Sequence, residues 1–234
     1  MSLIIATVTP FGIVAAADTR TTTRTGKDVQ YSDDTQKIYP SGKNAVILTC
    51  GQNKIGENML VHDFLAKFNK EYDFDEVKKI AFQLLCDTLC VDKEADVSYI
   101  VAGYDDERNS TVYRVNTGTL EVTMCLDVEE YGAVYNGITN ISKAILDGCD
   151  FSNMTVKNAI ELTTCAMRAT SISSKYHNLQ GVGPLIDTYI IGKDNTDKKT
   201  TGWVSYSHSL RNASKTAQAM VTTEDDAEKA KITN

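Results

Sequence analysis

The fold is decided by the opening stretch of the chain, which reads SLIIATVTPFGIVAAAD over residues 2–18. Apolar and β-branched residues fill positions 3–9 and 13–17, a composition typical of buried strands, and Asp18 ends the second run. The segment Pro10-Phe11-Gly12 between them is typical of a turn. The stretch therefore predicts two consecutive β-strands at the very beginning of the chain.

Working outward, the polar segment 19–34 is rich in Thr and Asp and is predicted to be an exposed excursion. Apolar residues at helical spacing predict helices over 55–69, 75–91, 139–146 and 156–171. Short apolar runs predict further strands over 36–39, 45–50, 97–104, 111–115, 120–125, 132–135, 188–192 and 203–207. This order suits two sheets packed face to face and covered outside by helices, and it equally suits one α+β sheet.

Length and composition predict one domain. The chain has 234 residues, 42% of them apolar, and only three prolines, and no Pro/Gly/Ser-rich linker divides it. Residues 1–210 are predicted to form that domain. Residues 211–234 are mostly polar and charged and are expected to be a partly mobile C-terminal extension.

Charge and hydropathy exclude several classes of function. The 24 basic and 31 acidic residues leave a formal charge of −7, which argues against a nucleic-acid partner. No apolar run reaches 18 residues, so no membrane partner is expected, and no basic segment precedes the first strand. A cytoplasmic protein is predicted. Six cysteines lie in apolar segments and only three histidines occur, so neither a metal nor another cofactor is predicted.

Four short motifs share the spacing of a known family. Ser2 opens the first strand, AADTR at 16–20 closes the second, DTQKIY at 34–39 contains Lys37, and AVILTCG at 45–51 ends in Gly51. Together they resemble a proteasome β-type subunit, and on them the chain is identified as a member of the proteasome-like branch of the N-terminal nucleophile hydrolases. The spacing from Lys37 to Gly51 matches the family after about three extra residues in the preceding loop.

Weaker matches to the same family follow later in the chain. The segment AVYNG at 133–137, which contains Asn136, stands where the family has a turn near its nucleophile. GPLID at 183–187 resembles a Gly-Gly-Pro-Ile-Asp run of bacterial relatives. The segment 175–182 lacks the aspartate that the family carries there, and Asn178 or His177 is the candidate for its place.

The resemblance implies a fold and a chemistry. The fold would be the α+β, four-layer αββα sandwich of that family. Once Met1 is removed, Ser2 would be the nucleophile of an amide-bond hydrolase or peptidase that works through an acyl-enzyme. Lys37 would favour the alkoxide, Asp18 would hold that lysine, and the Gly51 N–H would bind the oxyanion. Thr22, together with Gly51, would bind the substrate backbone, and the supporting residues would be Arg20, Asn136 and Asn178.

Two other functions stay open at this point. A related peptide ligase or transpeptidase would use the same acyl-enzyme, and a non-catalytic assembly subunit would use none. A peptide or protein substrate and a homo-oligomer, either a ring or a stacked assembly, are the partners that the resemblance implies.

Overall fold

The computed structural model describes residues 2–25, 28–42, 44–74, 76–176, 181–193 and 202–206, with fourteen strands and four helices in these ranges. The helices are α1 (Val61–Glu71), α2 (Val77–Val91), α3 (Asn140–Leu146) and α4 (Val156–Tyr176). The strands are β1 (Leu3–Thr9), β2 (Gly12–Asp18), β3 (Thr21–Thr25), β4 (Asp28–Ser32), β5 (Ile38–Ser41), β6 (Ala45–Gly51), β7 (Lys54–Ile55), β8 (Met59–Leu60), β9 (Val97–Tyr104), β10 (Ser110–Asn116), β11 (Glu121–Leu126), β12 (Gly132–Gly137), β13 (Ile186–Gly192) and β14 (Gly202–Tyr206).

Two five-stranded antiparallel sheets form most of the described chain. The first has the strand order β12-β1-β2-β13-β14, and the second has the order β11-β10-β9-β6-β5. The predicted N-terminal hairpin is present, with Thr9 opposite Gly12 and Ile4 opposite Ala17. Because the two strands of a hairpin run side by side, this register brings Asp18, at the end of β2, close to the beginning of β1.

Both faces of β1 are buried, which explains its unbroken apolar run. Alternate side chains of a strand point to opposite faces. Ile4 and Ala6 join a hydrophobic cluster that contains residues of both large sheets, such as Leu48. Leu3 and Ile5 join another cluster with residues that include α4 side chains. The N-terminal strand is therefore packed on both faces, and Ser2 directly precedes this rigid strand.

The helices α1 and α2 cover the second large sheet. Leu65 of α1 and Leu84 of α2 are fully buried in a cluster with Ile47 and Val101 of that sheet. Burying an aliphatic side chain of this size contributes about 1.5–3 kcal/mol. The strand β6, which ends at Gly51, is fixed by this packing.

The predicted fold class, an α+β four-layer αββα sandwich, is wrong as stated. The described chain is mostly antiparallel sheet with four helices, and its strands form four separate sheets. Two of these are two-stranded, β3-β4 and β7-β8, and they do not extend the larger sheets. The exposed excursion predicted at 19–34 has regular structure that was not predicted, because its Thr-rich residues form the β3-β4 hairpin, and β4 is exposed along its whole length. β-Branched threonines favour strands, and this preference prevails over the polarity of the segment.

The predicted division into a domain at 1–210 and an extension at 211–234 stays a prediction. Residues 211–234 lie outside the described residues.

No described helix is both long enough and apolar enough to cross a membrane.

Candidate active site

Ser2 lies immediately before β1, and its backbone is held against β12. The N–H of Ile138 donates to the carbonyl of Ser2 at 2.9 Å. Gly137, with a φ of +100°, packs so closely that an added Cβ would lie 1.9 Å from the carbonyl oxygen of Ser2. Only glycine tolerates both that angle and that approach. Ser2 is 7% exposed, so its hydroxyl has a defined place at the end of the first sheet.

Lys37 directs its ammonium group at that hydroxyl. The Nζ of Lys37 donates to the Oγ of Ser2 at 2.9 Å and to the carbonyl of Arg20 at 2.6 Å. It also forms an ion pair with the Oδ2 of Asp18 at 3.0 Å. An ammonium group has three N–H donors, and these three partners use all of them. The lysine is therefore fixed in one orientation next to Ser2.

Asp18 anchors the lysine from the end of β2. Its Oδ1 accepts the N–H of Leu3 at 2.7 Å, and its Oδ2 accepts the N–H groups of Arg20 and Gly183, each at 3.1 Å. The side chain is fully buried. Three backbone donors and one ammonium group satisfy the carboxylate, so it remains a charged and rigid acceptor in the interior.

Burial lowers the pKa of Lys37 below its ordinary value, because water no longer solvates its charge, and the nearby Asp18 carboxylate opposes that shift only in part. A lysine with a lowered pKa releases its proton more readily than a free lysine does. Near Ser2, such a group can both orient the hydroxyl and take part in proton transfer.

The lowered pKa predicts how stability changes with pH. Between the pKa of Lys37 in the folded protein and its ordinary value of 10.5, the unfolded chain binds a proton that the folded chain has released. Stability rises with pH wherever the unfolded state binds more protons. We therefore expect the free energy of unfolding of the wild type, relative to that of Lys37→Met, to rise as the pH increases through this window. Urea unfolding at several alkaline pH values measures the difference, and parallel pH curves for the two proteins would contradict the prediction.

A cavity of about 160 Å³ opens beside Ser2 and Lys37. Three other predicted site residues line the same cavity, namely Arg20, Thr22 and Gly51. The strands β3 and β6 contribute Thr22 and Gly51 from separate sheets. The tertiary fold therefore brings together residues that are far apart in the sequence, around a space that a substrate can enter.

Gly51 ends β6 with a φ of +107°, in a region that side-chain-bearing residues rarely adopt. An added Cβ would lie 2.7 Å from the carbonyl oxygen of Asp96. The same carbonyl accepts the N–H of Gln52 at 3.1 Å, which holds the turn after Gly51 in place. Glycine at this position therefore lets the backbone of β6 reach the wall of the cavity.

Arg20 has a structural partner that the sequence analysis did not identify. Its Nε and Nη2 donate to the two carboxylate oxygens of Asp33 at 2.7 and 2.8 Å, a bidentate ion pair. Gly183 packs on this pair, since an added Cβ would lie 2.7 Å from the Cβ of Arg20. Because the backbone of Arg20 contacts both Asp18 and Lys37, the ion pair steadies the whole cluster. In the sequence, Asp33 gave no signal beyond being one of several acidic residues near Arg20.

The predicted supporting residue Asn136 is not part of this cluster. Asn136 lies on β12 opposite Ile4, where its Oδ1 accepts the N–H of Gly137, and it does not line the cavity. Its supporting role is limited to the turn that holds Ser2. Asn178 and the alternative residue His177 lie outside the described residues.

Cys50 lines the cavity next to Gly51, but its thiol is a poor nucleophile. Burial raises the pKa of Cys50 to about 12, so the reactive thiolate is scarce at neutral pH. Ser2 is therefore the best-placed nucleophile of this cavity.

Among the described residues, no group of three or more His, Cys, Asp or Glu side chains is placed to hold a metal ion.

No protein-family model and no curated protein sequence matches the chain. Solved structures do match. Anbu (Gly-1) mutant from Hyphomicrobium sp. strain MC1 has a TM-score of 0.69 at 18% identity, with all of both chains covered. Anbu from the same strain has a TM-score of 0.62 at 16% identity, with 97% of both chains covered. Anbu (ancestral beta-subunit) from Yersinia bercovieri has a TM-score of 0.66 at 12% identity, covering 99% of this chain and 97% of that one.

These comparisons correct the family named from the sequence. The chain was identified as a member of the proteasome-like N-terminal nucleophile hydrolases, and the structural neighbours are instead Anbu proteins, a distinct proteasome-like group. The sequence motifs are short, and motifs of this length do not separate related groups. At identities between 12 and 18%, the likeness shows that the chain shares the fold of these structures.

Proposed function

We propose that this chain is an N-terminal serine peptidase or amidohydrolase, which cleaves amide bonds through an acyl-enzyme on Ser2 after Met1 is removed. One observation carries the proposal. The Nζ of Lys37 lies 2.9 Å from the Oγ of Ser2 and 3.0 Å from the carboxylate of Asp18, and Ser2 and Lys37 both line one cavity. A serine hydroxyl needs such a partner to become a nucleophile near neutral pH.

The chemistry follows from these groups. With Met1 gone, the α-amine of Ser2 is free to accept the hydroxyl proton, directly or through one water. The Oγ of Ser2 then attacks the carbonyl carbon of the substrate, while Lys37 stabilises the developing negative charge. The N–H of Gly51 donates to the oxyanion. The amine product leaves with the proton, and water hydrolyses the ester that remains on Ser2.

The burial of the ion pair supports a catalytic role. Lys37 and Asp18 are 5% and 0% exposed, and taking both charges out of water has a large cost in free energy. An apolar pair of similar volume often stabilises a protein equally well or better. A chain that serves only as an assembly subunit gains nothing evident from this arrangement, whereas an acyl-transfer site needs it.

The substrate and the assembly state belong to the same proposal. The peptide or protein substrate and the homo-oligomer stay predictions, and so does the competing peptide-ligase activity, in which an amine replaces water in the last step. Hydrolysis is preferred because water needs no second binding site.

The proposal predicts that a peptidyl β-lactone, which acylates hydroxyl groups by ring opening, adds its whole mass once to the wild type and not to Ser2→Ala. Ser152→Ala, a change at an exposed serine, is the matched control and should be labelled like the wild type. Exposed thiols at Cys86, Cys90 and Cys165 are competing targets, so peptide mapping must locate the adduct. An adduct that persists in Ser2→Ala and maps to a cysteine would refute the proposal.

A further inference from the structure

We propose that the cavity beside Ser2 binds the substrate residue that precedes the cleaved bond and selects an uncharged carboxamide side chain, as in glutamine or asparagine. This inference rests on the proposed function, and it adds the substrate class to it. It is carried by the hydrogen-bonding groups and the charges of the cavity wall.

The first observation is an unsatisfied hydroxyl. The Oγ1 of Thr22 is buried and has no hydrogen-bond partner, and Thr22 is part of the cavity lining. Buried polar atoms in native proteins nearly always have a partner, so an orphan of this kind needs an explanation. A polar substrate group in the cavity would supply the missing hydrogen bond.

Two glutamines of the lining offer a complementary pair of groups. Gln36 donates through its Nε2 to the carbonyl of Ile38 at 2.8 Å, which leaves the oxygen of its amide. Gln52 accepts through its Oε1 from the N–H of Asp96 at 3.0 Å, which leaves its amino group. These two side chains therefore offer an acceptor oxygen and an amino group to the wall. A carboxamide both donates and accepts, so it matches this pair, together with the hydroxyl of Thr22.

The charges of the wall disfavour a charged substrate side chain. Lys37 uses its three donors on Ser2, Arg20 and Asp18, and Arg20 is held by Asp33. Each cation in the lining is thus already neutralised by a carboxylate, and no acidic side chain lines this described cavity. A glutamate or lysine side chain would be desolvated here without a free partner of opposite charge, which is costly.

An apolar side chain of similar size fits the volume but leaves the wall unsatisfied. Leucine offers no hydrogen bond to Thr22, Gln36 or Gln52. A site built to hydrogen-bond a polar group discriminates strongly against an analogue that lacks it, because a buried group of the site, here the hydroxyl of Thr22, then stays unpaired. Glutamine, glutamate and leucine therefore form a decisive series.

The test measures equilibrium binding rather than cleavage. Three fluorescent tripeptide amides that end in glutamine, glutamate or leucine are titrated into full-length Ser2→Ala protein, and anisotropy reports Kd. We expect the glutamine peptide to bind at least about tenfold more tightly than the other two, as one or two well-formed hydrogen bonds allow. Equal or tighter binding of the glutamate or leucine peptide would overturn the inference, and so would the absence of binding by all three.

A second variant assigns the selectivity to Thr22. In the same background, Thr22→Val keeps the β-branched shape and removes the hydroxyl, so the advantage of glutamine over leucine should fall by about fivefold or more. Thr23→Val is the matched control, because Thr23 is exposed and neighbours Thr22 on β3, and it should leave that advantage intact. An unchanged advantage in Thr22→Val would overturn the assignment.

If the β-lactone does not label wild-type Ser2 although the glutamine advantage is present, the proposed function fails and the binding preference stands.

Discussion

Replacing Lys37 by methionine is expected to slow the acylation of Ser2 by about 100- to 1,000-fold, the usual effect of losing one group that stabilises developing negative charge. Methionine has a similar length and no charge, so the cavity keeps its shape while the 2.9 Å contact with the Oγ of Ser2 is lost. The rate of labelling by the peptidyl β-lactone measures the effect. Lys79→Met, a change at an exposed lysine paired with Glu76, should label at the wild-type rate.

The Lys37→Met protein should remain folded. Without the ammonium group, Asp18 still accepts the backbone N–H groups of Leu3, Arg20 and Gly183, so its charge is not left without partners. Circular dichroism should therefore match the wild type. A folded Lys37→Met protein that labels at the wild-type rate would remove Lys37 from the mechanism.

Asp18→Asn is expected to destabilise the protein more than Lys37→Met does. It should lower the free energy of unfolding by about 3–5 kcal/mol, as the loss of one partner of a buried ion pair does. The ammonium group of Lys37 would then be buried without a counter-charge. In the wild type, the carboxylate accepts the backbone N–H groups of Leu3, Arg20 and Gly183. The NH₂ group of asparagine is a donor, so it would face at least one of these N–H groups without forming a hydrogen bond. Two independent penalties therefore fall on one substitution.

The unfolding midpoint in urea, analysed with the slope of the transition, measures this loss. Asp106→Asn is the matched control, because Asp106 is exposed in the turn before β10, and its midpoint should not move measurably. If Asp18→Asn shifts the midpoint no more than Asp106→Asn does, Asp18 does not anchor Lys37 in the way the contacts suggest.

Each half of the candidate site depends on local structure, whereas the contact of Lys37 with Ser2 joins the two large sheets and was expected only from the family resemblance. The hairpin of β1 and β2 joins neighbouring segments through a short turn, and the length of that turn fixes its register. That register places Asp18 beside Leu3 and hence near Ser2. Lys37 and Gly51 flank one short antiparallel pair, β5 and β6, which is again local in the sequence.

The surroundings of the site were not predictable, because they depend on contacts between distant segments. Gly183 reaches Asp18 across 165 residues, and nothing in either segment indicates the approach. Asp33 is one of several acidic residues near Arg20, so only the conformation of the β3-β4 hairpin selects it. The β3-β4 hairpin escaped prediction because its polar strands lack the apolar pattern on which strand prediction depends, and β7 and β8 escaped it because each is only two residues long.

The central claim is that Ser2 becomes the N-terminal residue and that its hydroxyl is the nucleophile. Tandem mass spectrometry of the N-terminal peptide, from protein made in its own host and treated with the β-lactone, tests it most directly. The account predicts a peptide that begins at Ser2, with a free α-amine and the acyl group on its hydroxyl. A peptide that begins with Met1 and carries no acyl group, while the protein still cleaves amide bonds, would contradict the account.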